Sequence, residues 1–202
     1  MVVGVPLLLV TICYLPLVNA QIPGTRTEVP SNELAVYGAV LDSLQRLGKT
    51  THFLVAEATS TFACGANTCN GFSMGGCNGL KASAETPTER LVIVKRDLPS
   101  LKESTITSFE EKNRQCSSIG GVIPTVANYR YLHDDVPPGW KDKYLVYFSR
   151  VGFSTDRSQA LVNISIISWT DGTKSGGMYI LLNKVGDRWM PGGSSAVWQL
   201  TK

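Results

Sequence analysis

The sequence predicts an α+β domain in which an N-terminal amphipathic helix packs on one face of a curved antiparallel sheet. Two observations carry this prediction. Between Tyr144 and Gln199 the chain consists of runs with strand composition that turn residues interrupt at short intervals. Nearer the N-terminus, one segment carries apolar residues at helical spacing. Because the apolar stripe of a helix and the apolar face of a sheet must both be buried, we expect them to pack against each other.

The C-terminal runs predict a four-stranded antiparallel meander. They read YLVYFSRVGFS, QALVNISIISW, MYILLNKV and WMPGGSSAVWQ, and the segments TDRS, TDGTKSGG and GDR separate them. Side chains alternate between the two faces of a strand, so the second run predicts one buried face and one face in contact with solvent. The buried set is Ala160, Val162, Ile164 and Ile166, and the solvent set is Gln159, Asn163 and Ser165.

The helix is predicted from the segment ELAVYGAVLDSLQRLGK. Ser31 or Asn32 can cap its N-terminus, and Gly48 can end it. Its apolar residues recur at steps of three and four, which places them on one stripe. They are Tyr37, Val40, Leu41, Leu44 and Leu47.

Less regular elements are predicted between this helix and the sheet. Segment 52–58 (HFLVAEA) has strand character, and segment 91–94 (LVIV) reads as a short strand. A polar helix follows, and Ser100 and Glu103 have the spacing of a capping box at its start. Residues 117–139 mix glycine, proline and isolated aromatic residues, which predicts an irregular connection.

Residues 1–20 have the form of a cleavable secretory signal. The segment MVVGVPLLLVTICYLPLVNA contains no charged side chain and ends with small residues at positions −3 and −1 before Gln21. A membrane anchor is the alternative. Residues 21–30 are polar, contain two prolines and indicate a linker, so the domain is predicted over residues 31–202. We therefore expect a secreted or periplasmic protein with no stable membrane insertion after the signal is cleaved.

Four cysteines follow the predicted signal, and an even number in an exported chain predicts two disulfides. Three of them lie in residues 60–88, a segment rich in Gly, Asn, Ser and Thr that we interpret as a surface excursion held by disulfides. A zinc site is the alternative, but the cysteine spacings are not those of a zinc knuckle or ribbon. The four residues, which allow three pairings, are Cys64, Cys69, Cys77 and Cys116.

The composition argues against binding to nucleic acid. The formal net charge is +3, and the Lys and Arg residues are scattered and interrupted by acidic residues. They therefore form no basic stripe of the kind that nucleic acid requires. A hydrophobic fraction of 43% and a charged fraction of 17% are ordinary for a globular domain.

Few residues offer catalytic chemistry. A Ser or Cys nucleophile needs a base within hydrogen-bond reach, and the chain has only two histidines, His52 and His133. The segment GFSMG at 71–75 fits a nucleophile elbow, but it lies in a loop between two cysteines, without the strand and helix that an elbow needs. His133, Asp134 and Asp135 are interpreted as a polar loop rather than as a metal site or an acid–base pair. No cofactor is predicted.

Arg150 is the strongest candidate for ligand binding. It shares the predicted buried face with Val146 and Phe148, and a buried guanidinium must be paired. It either has a structural role, paired with a carboxylate or reaching solvent at the end of the sheet, or it holds an anionic ligand on the concave side of the sheet. The aromatic residues that could line such a pocket include Tyr147, Trp169 and Tyr179.

Several motifs resemble those of a family of exported, mainly bacterial proteins without an assigned activity. The chain has FSRVGFSTDRSQALV, GGMYILL, GDRW and Trp198 where that family has S-R-V-G-F-N, Q-A-L-V, G-x-Y-x-L-L, G-x-W and a terminal tryptophan. The segments ELAVYGAVLDSL and ITSFEEKN are also similar, so the resemblance covers about two thirds of the mature chain. The chain departs from the pattern at Ser154, where Asn is usual, and at residues 190–193. The resemblance implies export and a shared fold, and it transfers no catalytic residue.

Three functions are compatible with the sequence. The leading hypothesis is a secreted or periplasmic, non-catalytic binding or accessory domain that contacts a protein partner or a small ligand through the concave side of the sheet or the cysteine loop. A hydrolase with a His–carboxylate pair at His52 or His133 is the second hypothesis, and a structural surface domain is the third. By analogy, a helix lying across a curved sheet resembles cystatin-like and NTF2-like folds, but a fold alone does not confer function.

Overall fold

The predicted signal peptide, all four cysteines of the predicted disulfides, His133 and Trp169 lie outside the part of the chain that the structure describes. Among the helices that it does describe, none combines the length and the apolar character that crossing a bilayer requires. The computed structural model describes residues 27–48, 52–59, 94–115, 117–132, 144–168 and 175–200.

Helices and strands alternate irregularly along the described residues. The helices are α1 (Ser31–Gly48) and α2 (Glu103–Lys112), and residues 94–97 form a further helical turn. The strands are β1 (Thr27–Glu28), β2 (His52–Ala56), β3 (Ser117–Ser118), β4 (Asn128–Leu132), β5 (Tyr144–Phe148), β6 (Gly152–Phe153), β7 (Gln159–Ser168), β8 (Ser175–Val185) and β9 (Arg188–Leu200).

Seven of these strands form one mixed sheet, in the order β4-β2-β5-β7-β8-β9 with β6 beside β7. The strands β5, β7, β8 and β9 pair in succession and antiparallel, whereas β2 pairs in parallel with both β4 and β5. The prediction of a wholly antiparallel sheet is therefore wrong at this edge. Parallel neighbours need a long connection, and the chain between Ala56 and Asn128 supplies one. The strands β1 and β3 form a separate parallel pair.

A two-residue turn that contains a glycine connects β8 to β9. Val185 pairs with Arg188, so only Gly186 and Asp187 form the turn. Gly186 has a φ of 60°, in the left-handed region that glycine adopts without a steric cost. The turn predicted at GDR is found at this position.

The helix α1 packs on one face of the sheet and forms the larger core, which confirms the helix predicted near the N-terminus. The ring of Tyr37 stacks on Phe148 with centroids 4.4 Å apart, and its hydroxyl donates a hydrogen bond to the carbonyl of Ser149 at 2.8 Å. Leu47, by contrast, is 82% exposed, so the buried stripe ends before it. The sheet residues buried in this core include Phe53, Val55, Val146, Ala160, Val162, Ile164, Ile180 and Leu182.

The helix α2 and the preceding residues pack on the opposite face of the sheet, which we call the second face. Gln159, Asn163 and Ser165 were predicted to contact solvent on this face, but they are only 3%, 2% and 1% exposed. That prediction is wrong because this face is also covered, as happens when helices pack on both sides of a sheet. The apolar cluster between α2 and the sheet consists of Val94, Leu98, Leu101, Ile106, Phe109, Leu161, Tyr179 and Leu181.

The start of α2 is capped by a residue from the sheet. The helix begins at Glu103 with Lys102 as its N-cap, so the predicted capping box at Ser100 is wrong. Instead, Oε1 of Gln159 in β7 accepts the backbone N–H of Lys102 at 2.8 Å and the hydroxyl of Thr105 at 3.1 Å. These bonds satisfy one of the free N–H groups that every helix N-terminus carries, and they fasten α2 to the sheet.

Two further assignments differ from the sequence prediction. Val94 belongs to the helical turn at residues 94–97, so the strand predicted at 91–94 is wrong at its last residue, while residues 91–93 lie outside the described ranges. The strand β4 lies in the segment predicted to be irregular. Its Tyr129 and Tyr131 both pack against the α1 core. The sequence does not predict this strand because a run of only five residues shows the two-residue period weakly.

Gly152 of β6 lets the sheet approach α2 closely, and this contact yields a prediction. A Cβ at this position would lie 2.5 Å from the carbonyl oxygen of Thr105 and 2.5 Å from Cβ of Phe109. We expect Gly152→Ala to lower the free energy of unfolding by about 2 kcal/mol, because helix backbone cannot move away cheaply. Gly120→Ala is the control, since the nearest atom there is Oε1 of Glu28 at 3.4 Å. Equal losses for the two variants in urea denaturation would contradict the close approach.

Candidate functional site

A buried carboxylate, Glu33, lies in the first turn of α1. Arg150, which follows β5, donates from Nε to Oε2 and from Nη2 to Oε1, both at 2.9 Å. The backbone N–H of Val151 donates to Oε2 at 2.9 Å, and Nζ of Lys112 donates to Oε1 at 2.9 Å. Four charge-assisted hydrogen bonds therefore compensate the carboxylate for the water it loses on burial.

The same network extends to β3 and to the end of α2. Nη1 of Arg150 donates to Oγ of Ser117 at 2.6 Å, and Nζ of Lys112 also donates to the carbonyl of Val151 at 2.9 Å. Asn113 accepts the backbone N–H of Arg150 on Oδ1 at 2.8 Å and donates from Nδ2 to the carbonyl of Arg150 at 3.0 Å. The network thus joins α1, α2, β3 and the loop after β5.

The hydrogen bonds keep this ion pair charged. Burial raises the pKa of the Glu33 carboxyl, but the hydrogen bonds from Arg150, Val151 and Lys112 outweigh burial, and the pKa lies below its usual value. The hydrogen bond to Glu33 in turn raises the pKa of Arg150. Three nitrogens of the Arg150 guanidinium have partners within the chain. The sequence allows two roles for Arg150, structural pairing or ligand binding, and these contacts match the structural role.

A different set of polar side chains lies in the middle of the second face. Leu161 of β7 packs under α2, and the alternation of the strand places Asn163 and Ser165 on the same face. Among the described residues, Nδ2 of Asn163 and Oγ of Ser165 are buried without a hydrogen-bond partner. Buried polar side chains nearly always have a partner, so two such atoms at adjacent positions on one face mark a candidate binding site.

Two tyrosines predicted to line a ligand pocket flank this pair. Tyr147 of β5 lies opposite Ser165, and Tyr179 of β8 lies opposite Asn163. The ring of Tyr179 packs edge-on against Phe109 of α2, with centroids 5.6 Å apart, which fixes its position. Burial raises the pKa of Tyr147, so its phenol stays protonated at neutral pH. We call these four residues (Tyr147, Asn163, Ser165 and Tyr179) the polar row.

A carboxylate lies where the polar row reaches β9. Ser195 pairs with Tyr179 in register, and its hydroxyl donates a hydrogen bond to Oδ2 of Asp97 at 2.8 Å. This bond, together with the one from Arg96, lowers the pKa of Asp97. Asp97 is therefore ionised at neutral pH, and it places an exposed negative charge, paired with Arg96 at 3.1 Å, at one end of the row.

The structure separates the residues that the sequence grouped as one site. Tyr147 and Tyr179 lie on the second face, Arg150 lies beside Glu33 of α1, and Trp169 is outside the described residues. The predicted disulfide residues are also outside them. Only the two tyrosines of the predicted ligand site are therefore brought to the same region.

Asn163 and Ser165 are the site residues that sequence reasoning missed. Their alternation with apolar neighbours is the usual pattern of a strand with one solvent face, and it predicts that both side chains contact solvent. A signal that could have found them is the second predicted helix, because a sheet with helices on both faces has no strand face left for solvent.

The histidines and possible metal ligands add no second site to the described part of the chain. His52 is the first residue of β2 and is half-buried, and His133 lies outside the described residues. Where the structure describes the chain, no three His, Cys, Asp or Glu side chains converge to hold a metal ion. No protein-family model, curated protein or solved structure matches the chain.

Arg150→Met is expected to lower the free energy of unfolding by about 3–5 kcal/mol, because it takes the bidentate partner from the buried Glu33 carboxylate. A double variant, Glu33→Met with Arg150→Met, should recover most of that loss, since it removes both charges. Arg114→Met, at an exposed arginine just after α2, is the control and should change stability by less than about 0.5 kcal/mol. A fully stable Arg150→Met protein in urea denaturation would contradict the structural role and favour ligand binding by Arg150.

The same carboxylate predicts how stability depends on pH. The pKa of Glu33 in the folded protein lies below its ordinary value of 4.5, so its contribution is fully present above that pH and is lost as the pH falls through the folded-state pKa. The difference in unfolding free energy between the wild type and Glu33→Gln should therefore shrink on acidification below pH 4.5. Urea denaturation at a series of pH values measures this difference, and a difference that grew on acidification would rule out a lowered pKa.

Proposed function

We propose that the protein is an exported, non-catalytic binding domain that holds a small ligand on the second face of its sheet. The observation that carries the proposal is the pair of Asn163 and Ser165, whose Nδ2 and Oγ atoms are buried without partners among the described residues. A ligand that forms hydrogen bonds with these two atoms would remove an energetic cost that the folded protein otherwise bears.

This cost is large enough to support useful affinity. Leaving a buried polar group without a hydrogen bond costs about 1–3 kcal/mol, and about 1.4 kcal/mol corresponds to a tenfold change in affinity. Satisfying both atoms therefore favours binding by about 30-fold or more, relative to a site whose groups are already paired.

The strand that carries the pair is held firmly, which favours binding further. The strand β7 lies between β5 and β8 in the middle of the sheet. The backbone N–H of Asn163 donates to Oγ of Ser149 at 2.8 Å, and its carbonyl accepts the backbone N–H of Ser149 at 2.9 Å. A site whose backbone is already fixed loses little conformational entropy when a ligand binds.

The wider features of the chain are consistent with this proposal. We propose a fold related to the cystatin and NTF2 types, supported by α1 on one face and by the antiparallel succession β5, β7, β8, β9, with the parallel strands β2 and β4 as a departure. Export rests on the signal-like residues 1–20 and on the motifs shared with the exported bacterial family. Two disulfides among the four cysteines would stabilise such a protein outside the cell.

Ser165→Ala tests whether the pair is a site rather than part of the core. Removing an unsatisfied hydroxyl should leave the free energy of unfolding unchanged or raise it by up to about 1 kcal/mol. Ser154→Ala is the matched control, because the equally buried Oγ of Ser154 donates to Asp156 at 2.6 Å and accepts the backbone N–H of Gln159 at 3.0 Å. This control should lose about 1–2 kcal/mol. Equal losses in urea denaturation would mean that Ser165 is bonded inside the folded protein and would overturn the proposal.

A further inference from the structure

We infer that the ligand held by Asn163 and Ser165 is uncharged and presents a carbonyl oxygen, as an amide group does. This inference rests on the proposed function and specifies the class of ligand that the site takes. It follows from the hydrogen-bonding capacity of the two unpartnered atoms, from the absence of charge along the polar row, and from the carboxylate at the end of the row.

The hydrogen-bonding capacity of the pair requires an acceptor on the ligand. Nδ2 of Asn163 is only a donor, whereas the hydroxyl of Ser165 either donates or accepts. A carbonyl oxygen meets the requirement of Asn163, and an adjacent amide N–H can donate to Ser165. A group that carries donors alone leaves Nδ2 of Asn163 unsatisfied.

The burial of the pair disfavours an ion. Asn163 and Ser165 are 2% and 1% exposed, so a ligand reaching them loses most of its hydration. The side chains of the polar row carry no charge at neutral pH, and no described contact places a counter-charge against Asn163 or Ser165. An unpaired buried ion costs several kcal/mol. Lys112 and Arg150 bind the Glu33 carboxylate instead.

Asp97 adds a small further penalty for anions. Its carboxylate is bound to Ser195, whose register partner is Tyr179 of the polar row. The Asp97 carboxylate is exposed and also pairs with Nε of Arg96 at 3.1 Å, so solvent and Arg96 screen its repulsion of a second negative charge brought to the row, and the penalty is small. An anionic ligand therefore faces both the loss of its hydration and a like charge.

Three probes of almost the same shape test the inference: acetamide, acetate and acetamidinium. Acetamide is neutral and carries a carbonyl oxygen, acetate carries oxygens with a negative charge, and acetamidinium is a cation with donors alone. Each is titrated into isotopically labelled full-length protein while the side-chain amide signals of Asn163 are followed by NMR. Asn163→Leu identifies those signals by their loss. We expect acetamide to shift them saturably, with an affinity at least tenfold higher than that of either ion.

The outcomes separate this inference from the function on which it rests. Acetate or acetamidinium binding as tightly as acetamide would overturn the inference and leave a binding site at Asn163, and no response to any of the three probes would also overturn it. The proposed function is judged separately, by the stability of Ser165→Ala against Ser154→Ala. In Asp97→Asn the disadvantage of acetate relative to acetamide should shrink, and an unchanged ratio would remove Asp97 from the explanation.

Discussion

The buried charge of Glu33 is the constraint on which the arrangement of the helices depends. A carboxylate without exposure to water is tolerated only when hydrogen bonds replace its hydration, and these bonds come from the loop after β5 and from the end of α2. Because Glu33 itself belongs to α1, satisfying one side chain fixes both helices relative to the sheet. The bidentate geometry of Arg150 leaves few alternative arrangements of these groups. The positions of α1 and α2 relative to the sheet are therefore fixed at this end of the molecule.

The two faces of the sheet that result from this arrangement are chemically different. The α1 face is an apolar core from β2 to β8. The second face is apolar where Phe109 meets Leu161 and becomes polar two residues further along β7, at Asn163. One face therefore supplies stability, while the other keeps polar atoms buried at the centre of the sheet. Such a division is compatible with the binding function proposed above.

Features of the fold that depend on the spacing of nearby residues could be predicted from the sequence. Features that depend on contacts between residues far apart in the chain could not. The stripe of α1 and the strand run of β7 carry their signals in consecutive residues. The parallel pairing of β2 with β4 has no such signal, because long connections bring these strands together. The burial of Asn163 and Ser165 depends on the residues that cover the second face of the sheet, and the alternation within β7 carries no information about those residues. A carboxylate partner for Arg150 could be anticipated as one alternative, but Glu33, which is 117 positions away, could not be identified.

The cap that Gln159 provides for α2 has a consequence for the order of assembly. A helix of ten residues is marginal in isolation, and its cap lies 57 positions later in the chain, in the middle of the sheet. The amide of Gln159 also donates to the carbonyl of Ser100 at 3.0 Å, so it holds the approach to the helix as well as its first turn. During synthesis, therefore, α2 leaves the ribosome before the residue that secures it. Its amide protons become protected from exchange only after the later strands have joined.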